Sequence, residues 1–492
     1  DVLVYGATPS GIMAAVSAAL EGMRTTLVYP GQHVGGMVSG GLSNTDVGKK
    51  ETIGGQTLNF FRTLKIRNPD YPAWVFEPKE AEKEFRRLLA DYRINLLPNS
   101  QLVSVEKSGA EITSISTTRD QQLTASVFID ASYESDLVAL SGVSFTVGRE
   151  PRSKYSETIA GFRGIEAGSH PDKHAFRVPV SAASRSGGLL PGVVPYEGQA
   201  EGSGDAKVPA YTFRLCLTLN PTNSASLPPP SRYDPQRYEL LGRYLEARPQ
   251  TELAEIISLT PIPGDKFSLN ARGPFSTDFI GGSWDYPNAS PQQRQEIWNA
   301  HRDYILGFFH FLKRDPRVPE SIASAVSRYA LCRDEFINNE NWPPQLYVRV
   351  ARRMLGDNVM TEQDVYSDRT KETSIGMGSR PIELRHVQRL ALADGSVMNE
   401  GHLTVFVKPY QIPYWSILPR RAESTNLLVP VGLSASYVAY NSLRMEPVYM
   451  ILGESAGVAA ALAVKMHVSV QDVPYAKLRA GLEDREQVLA LP

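Results

Sequence analysis

Three rhythms of apolar and polar positions run along the chain, and the first of them sets the fold class. Asp1–Tyr5 and Thr25–Tyr29 are short apolar runs of the kind that form parallel strands buried on both faces, and the alanine-rich stretch between them has helical spacing. Together they predict a β-α-β unit. Thr52–Leu64 repeats the helical period, and Pro78–Tyr92 is a charged helix with Phe85, Leu88 and Leu89 on one face. Ile94–Leu97 reads as a further parallel strand. Gln101–Glu106, Glu111–Thr117 and Leu123–Phe128 then alternate around turns such as Ser108-Gly109, which predicts a three-stranded meander.

Past Pro151 the rhythm changes. Residues 151–209 are rich in Gly, Ser and Pro and read as loops, whereas Pro209–Thr218 alternates as a strand with Tyr211 and Phe213 on one face and Thr212 and Arg214 on the other. Pro235–Ala247 and Pro291–Arg314 have helical spacing, the latter with Trp298, Ile305, Phe308, Phe309 and Leu312 at core positions. A further helix is expected from near Pro344. The chain closes with a strand, Asn426–Val431, a polar crossover, Gly432–Arg444, and a helix from Met445-Glu446-Pro447 onward whose Gly453, Ala456, Gly457 and Ala459 suit close packing.

The turn after the first strand carries chemistry. Gly6-Ala7-Thr8-Pro9-Ser10-Gly11 stands where a dinucleotide fold presents bare N–H groups and a helix N-terminus to a pyrophosphate. Thr8 replaces the middle glycine of that fingerprint, and Tyr29, followed by Pro30, replaces the acidic residue that takes the ribose hydroxyls. His33-Val34-Gly35-Gly36-Met37-Val38-Ser39-Gly40-Gly41 follows the second strand, and so many glycines suit backbone lying flat against a large partner such as a flavin. Gly6–Gly11 is expected to hold pyrophosphate and the Gly35–Gly41 segment to lie by the isoalloxazine.

Composition narrows the partners. The 492 residues are 42% hydrophobic and 21% charged with a net charge of −2, ordinary globular values that give no case for nucleic acid or an anionic membrane. Small-molecule chemistry is expected. Cys216 and Cys332, the only cysteines, are far apart in sequence, which argues against a disulfide framework, a redox C-x-x-C or a zinc site. His170 and His174 have the spacing of a metal pair but are separated by Pro171, with no third ligand near, so no metal is expected. No apolar run reaching the roughly 18 residues of a membrane span is expected. Compartment and oligomeric state stay open.

Candidate catalytic groups lie in the second half. Arg349 with Arg352 or Arg353 would share a face of the helix expected from Pro344, either clamping an anion or polarising a carbonyl, or forming surface ion pairs. Ser374–His386 is too glycine-rich for an element interior and reads as a shaped loop ending in His386, a candidate general base with Glu383 as orienter. Tyr410 and Tyr414 stand among the prolines of Lys408–Pro419 and would either wall a pocket or pack.

Phe128-Ile129-Asp130-Ala131-Ser132-Tyr133-Glu134-Ser135-Asp136 and its continuation to Glu150 resemble the FAD-dependent oxidoreductase family often labelled xanthan-lyase-like. That family falls within the flavoproteins with a glutathione reductase or fumarate reductase type FAD domain. Pro209–Thr218, His301–Pro319, Ser374–His386 and Lys408–Pro419 read like the same family, with Tyr133 where many relatives have glycine. The resemblance implies an α/β fold: a Rossmann-like FAD-binding domain, parallel sheet plus meander, with an inserted α+β substrate domain. The expected division is 1–150, 151–400 and 401–492, with the first and last parts forming the FAD domain. It also implies FAD contacts from Val103, Ala131, Ser132, Asp136, Ser434, Arg444 and Met445, added to those of the glycine segments. The implied activity is hydride transfer between a small organic substrate and flavin N5, with oxygen, a quinone or a carrier as reoxidant. The alternatives are a polysaccharide lyase or other carbohydrate-acting protein, and a non-catalytic FAD-binding protein.

Overall fold

The structure is a computed structural model that describes residues 1–163, 174–366 and 370–491. Its first part runs β1 (Val2–Tyr5), α1 (Pro9–Leu20), β2 (Thr25–Val28), α2 (Gly36–Ser39), α3 (Gly55–Arg67), α4 (Pro78–Asp91), β3 (Asn95–Leu97), β4 (Leu102–Ser108), β5 (Glu111–Thr117), β6 (Gln122–Leu123) and β7 (Val127–Asp130). β3, β2, β1 and β7 lie side by side and parallel, and the late strand Leu427–Leu428 adds to the far edge of β7. The chain winds one way from β1 through β2 to β3 and returns on the other side as β7. The carboxyl ends of β1 and β7 therefore flank the switch point where such sheets bind ligands. This is the α/β, Rossmann-like architecture expected of FAD oxidoreductases.

α1 forms because Thr8 caps it, accepting the Gly11 N–H at 3.2 Å, and because Pro9 can occupy its first turn without a hydrogen-bond loss. It is buried from Pro9 to Ala18, which explains its alanine-rich, weakly amphipathic sequence. The sheet covers one side and the helix Glu446–Met466 the other. Gly453 and Gly457 make that crossing possible: a Cβ there would lie 2.1 Å from the Ser10 carbonyl oxygen and 2.3 Å from that of Ala14. By length and a hydropathy of 1.5 this helix passes for a membrane span, contrary to the run-length expectation, because Glu454 and Lys465 interrupt the apolar run without lowering its mean enough. Its most apolar window is 89% buried, so here it is a core helix.

β4, β5 and β6 form the antiparallel meander, but its expected third strand, Leu123–Phe128, is divided. β6 ends at Leu123, and Val127 onward leaves for the parallel sheet. The middle of the chain builds a second, antiparallel sheet in the order Ser224–Ala225, Ala330–Cys332, Cys216–Thr218, Lys266–Ala271, Ile257–Ile262. Helix Pro291–Arg314 forms over the predicted residues, opened by a Ser290–Gln293 capping box.

Three local expectations are corrected. Pro209–Thr218 is a regular strand only at Cys216–Thr218, while Tyr211 and Thr212 make single bridges to Phe279 and Tyr347. The helix expected from Pro344 does not form; the Tyr347 N–H bonds the Thr212 carbonyl and Arg353–Met354 is a strand, so Arg349, Arg352 and Arg353 share no helix face. The supposed crossover contains the helix Tyr437–Leu443, capped by Ser436. Cys216 and Cys332, distant in sequence, lie on paired strands with their sulfurs 2.9 Å apart as buried free thiols. His170 lies outside the described residues.

Candidate cofactor and substrate site

A cleft of about 1400 Å³ follows the carboxyl ends of β1, β2, β3 and β7. That exceeds the roughly 300–1,000 Å³ of ordinary small-molecule pockets, so the space suits a long ligand. One end is lined by Leu96, Pro98, Gln101 and Thr118, the middle by Gly6, Ala7, Thr8 and Ser132, and the other end by His33, Gly36, Tyr286, Arg294, Trp298 and Gln345. Tyr29 and Pro30 border the first end, and Tyr133, Glu134 and Asp136 the last.

The middle is built for close backbone approach. Gly6 sits at φ +104°, and a Cβ on it would lie 2.8 Å from the Ser132 nitrogen; a Cβ on Gly11 would lie 1.9 Å from the Gly6 carbonyl oxygen. The Thr8 hydroxyl donates to the Ala131 carbonyl at 2.7 Å and so ties the first turn to the one after β7. Thr8 thus takes up a structural task at the place of the missing glycine. Pro9, Ser10 and Gly11 form the first turn of α1, where the Ser10 hydroxyl is buried without a hydrogen-bond partner among the described residues. The turn after β7 is fixed by Asp130, whose carboxylate accepts from the Ser132 and Val138 N–H groups and the Ser132 hydroxyl. Burial nonetheless pushes Asp130 up to about 6. These bare donors and the cradle around them fit a pyrophosphate.

At the far end Asp136 pairs with Arg294 and Arg352, each at 2.8 Å. Burial would raise its carboxyl, but the two guanidinium groups hold it below the ordinary range. His33 bonds the Ser39 hydroxyl at 3.1 Å and the Gly36 carbonyl oxygen at 3.3 Å, and burial lowers its basicity. Tyr133 links three elements: its hydroxyl accepts from Met37 N and donates to Glu446 at 2.8 Å, at the start of the helix Glu446–Met466. Burial pushes Glu446 up to about 8. Nearby, Lys266 lies 2.5–2.8 Å from carboxylate oxygens of Glu77, Asp334 and Glu335, so an ammonium already holds the centre of that acidic group.

The remaining expected residues separate into groups. Gly35, Met37, Ser39, Gly40 and Gly41 form a buried wall, with Gly40 against Gln345 and Gly41 against Arg214. Val103 is 53% exposed on β4 and off the cleft, where Gln101 and Thr118 stand instead. Ala131 is buried beneath the turn, Ser434 bonds the Asn358 carbonyl, and Met445 is buried as the N-cap of the long helix. Tyr410 donates to or accepts from Ser442, Tyr414 donates to the Val470 carbonyl, and Arg353 is buried with Glu150 and the Gly148 and Ala435 carbonyls. None of these three lines the cleft.

Against the glycine wall lies a buried polar cluster that joins Arg349, His386 and Arg444 with groups the sequence did not single out. Arg349 pairs with Asp278 at 2.8 Å, Arg385 with Glu383 at 3.2 Å, and Arg380 with Asp46 at 3.1 Å. Arg444 donates to Asn441 and to the Glu383 carbonyl. The His386 ring lies 6.0 Å from that of His174 and 5.2 Å from that of His402. Burial, Arg385 and the neighbouring imidazoles push His174 down to about 2, so it is neutral. Burial raises Glu383, but Arg385, Arg444 and Arg380 outweigh it and hold the carboxylate ionised. Only the alternation of Tyr211–Arg214 hinted at this cluster, because its members come from loops far apart in sequence.

The sequence profile of a family described as FAD dependent oxidoreductase matches residues 1–482. The chain belongs to that family. Its cofactor is FAD, and the cleft described above is the place with the backbone to receive it. No curated protein gives a significant match. Among solved structures, this FAD oxidoreductase is similar to the anhydrotetracycline hydroxylase OxyS from Streptomyces rimosus, at 14% identity over 31% of this chain and 37% of that one, TM-score 0.24. It is also similar to thioredoxin reductase from T. acidophilum, at 20% identity over 26% and 34%, TM-score 0.19. A third similarity is to OTEMO in complex with FAD and NADP, at 14% identity over 34% and 27%, TM-score 0.20. The chain spans about a third of the length of these structures or less, and scores this low carry no functional argument.

Proposed function

We propose that the protein is a flavin-dependent dehydrogenase or oxidase acting on a small organic substrate held by the buried polar cluster behind Gly40 and Gly41. Kinship to the xanthan-lyase-like branch, and a division into outer FAD-binding portions, 1–150 and 401–492, around a substrate portion, 151–400, belong to the same proposal. Bound FAD supplies a two-electron acceptor at N5, with oxygen, a quinone or a carrier to reoxidise it. The observation that carries the reading is that one glycine segment touches both regions: Gly36 lines the long cleft, and Gly41 packs against Arg214 of the buried polar cluster.

Each part of the chain has a task in this scheme. Gly6–Gly11 and the turn after β7 hold the pyrophosphate, Tyr29, Pro30 and Gln101 the adenosine, and His33, Gly36 and Met37 the flavin end. Asp136 keeps Arg294 and Arg352 oriented at the cleft's last wall. His386 takes or returns the proton that accompanies hydride transfer, while Arg349, fixed by Asp278, lends positive charge to the substrate's reacting end. Water is excluded because Arg349, Arg385, His174 and His386 are all at least nine-tenths buried.

Anaerobic bleaching of the visible flavin band with a panel of alcohols, amines, sugars and hydroxy acids tests this. At least one class is expected to bleach it, and His386→Asn is expected to slow the bleaching by about 10²–10⁴-fold with the flavin still bound. Bleaching by none, or an unaffected rate in the variant, contradicts the assignment.

A further inference from the structure

We propose that Arg214, with Tyr347 beside it, forms a carboxylate-binding subsite in this cluster, so that the substrate is a small organic acid. The inference rests on the functional reading above and names its substrate class.

Arg214 is placed by the glycine wall itself. A Cβ on Gly41 would lie 2.3 Å from the Arg214 carbonyl oxygen and 3.1 Å from its Cβ, so the arginine is pressed against the segment assigned to the flavin. Tyr347 is held alongside by the hydrogen bond from its N–H to the Thr212 carbonyl at 2.9 Å. The Arg214 guanidinium lies 5.7 Å from the Tyr347 ring centroid, and that of Arg349 lies 5.1 Å from it. Two cations thus share one ring.

They differ in their partners. Arg349 is satisfied by Asp278 and by the Ala210 carbonyl. Arg214 is only 7% exposed, yet among the described residues its guanidinium has no carboxylate and no hydrogen-bond acceptor, and its Nε is fully buried without one. The Tyr347 hydroxyl makes no hydrogen bond among the described residues either. Buried guanidinium groups are ordinarily paired, because the lost hydration has to be replaced. Here the replacement is missing among the described residues.

The surrounding charge points the same way. Among the described residues, Arg214, Arg349, Arg380, Arg385 and Arg444 face Asp46, Asp278 and Glu383, leaving cations in excess. A planar guanidinium over a tyrosine ring, with its N–H groups unused, is complementary to a carboxylate, which accepts two parallel N–H bonds. Bound there, a carboxylate anchors the substrate beside the cluster that holds His386.

The test uses the purified holoprotein, with benzoate as the probe, benzamide as its uncharged counterpart and inorganic phosphate as a second anion. Perturbation of the flavin band and the shift in melting temperature report binding, the latter on flavin-free protein as well. Benzoate is expected to bind at least tenfold more tightly than benzamide or phosphate, and Arg214→Met to lose at least tenfold of that affinity, with Arg214→Lys in between. Flavin content is expected to be unchanged in both variants, and the melting temperature without ligand not to fall, since no internal partner is left behind. Equal binding of benzoate by wild type and Arg214→Met overturns the proposal, as does tighter binding of phosphate or a lowered melting temperature that marks the arginine as structural. Protein without flavin refutes the functional reading, while the benzoate-induced melting shift still decides the subsite.

Discussion

Gly11→Ala is expected to yield protein that no longer retains FAD. The added methyl would lie 1.9 Å from the Gly6 carbonyl oxygen and 3.2 Å from the Ala131 Cβ, and neither neighbour is the end of a flexible side chain. The turn between β1 and α1 must therefore open. Opening it breaks the Thr8 cap on Gly11 and shifts the Thr8–Ala131 link that sets the distance between the two strand ends. Overpacking of this kind costs about 1–3 kcal/mol. The cofactor suffers more than the fold, because every backbone donor of the turn moves. Flavin absorbance per chain after desalting checks the effect; near-stoichiometric FAD in the variant would contradict it.

The second large effect is a dependence of stability on pH that Glu446→Gln reduces. Glu446 is buried between Tyr133 and the start of the helix Glu446–Met466, and burial pushes its carboxyl up to about 8. The unfolded carboxyl ionises far lower. The contribution is whole below the unfolded value, and it is lost as the pH rises through the folded one. At about 1.4 kcal/mol per pH unit between the two values, this one group accounts for at most several kcal/mol. Asp130, raised to about 6, and Glu157, Glu335 and Glu454, each raised to about 7, act in the same direction, so the wild-type melting temperature should fall steadily from pH 5 to pH 8.5. Glutamine keeps an acceptor for Tyr133 and cannot ionise. Its melting curve should be flatter over that range; an unchanged slope would show that Glu446 does not titrate there.

Most of the sheet was legible because each strand of the β-α-β start is a local apolar run bounded by glycine or proline. The helix Pro291–Arg314 was legible for a similar reason: its cap, its first-turn proline and its period agree. Elements held by distant partners were not. Arg349 sits in extended chain because Tyr347 bonds Thr212, a contact that no periodicity near Pro344 announces. Tyr410 and Tyr414 looked like pocket walls but spend their hydroxyls on Ser442 and Val470 in the core. Thr8 looked like damage to a fingerprint, yet it caps α1 and bonds Ala131, tasks that a glycine could not perform. Arg214 was legible only as a polar position of a strand, because its significance lies in having no hydrogen-bond acceptor among the described residues.

We propose that the cleft from Gly6 to Gly36 carries FAD in a working oxidoreductase. Denaturing the purified protein and identifying the released chromophore by chromatography measures it most directly. Stoichiometric FAD, lost in Gly11→Ala and retained in Arg214→Met, is the predicted result; protein without a flavin band that takes up no added FAD would contradict the account.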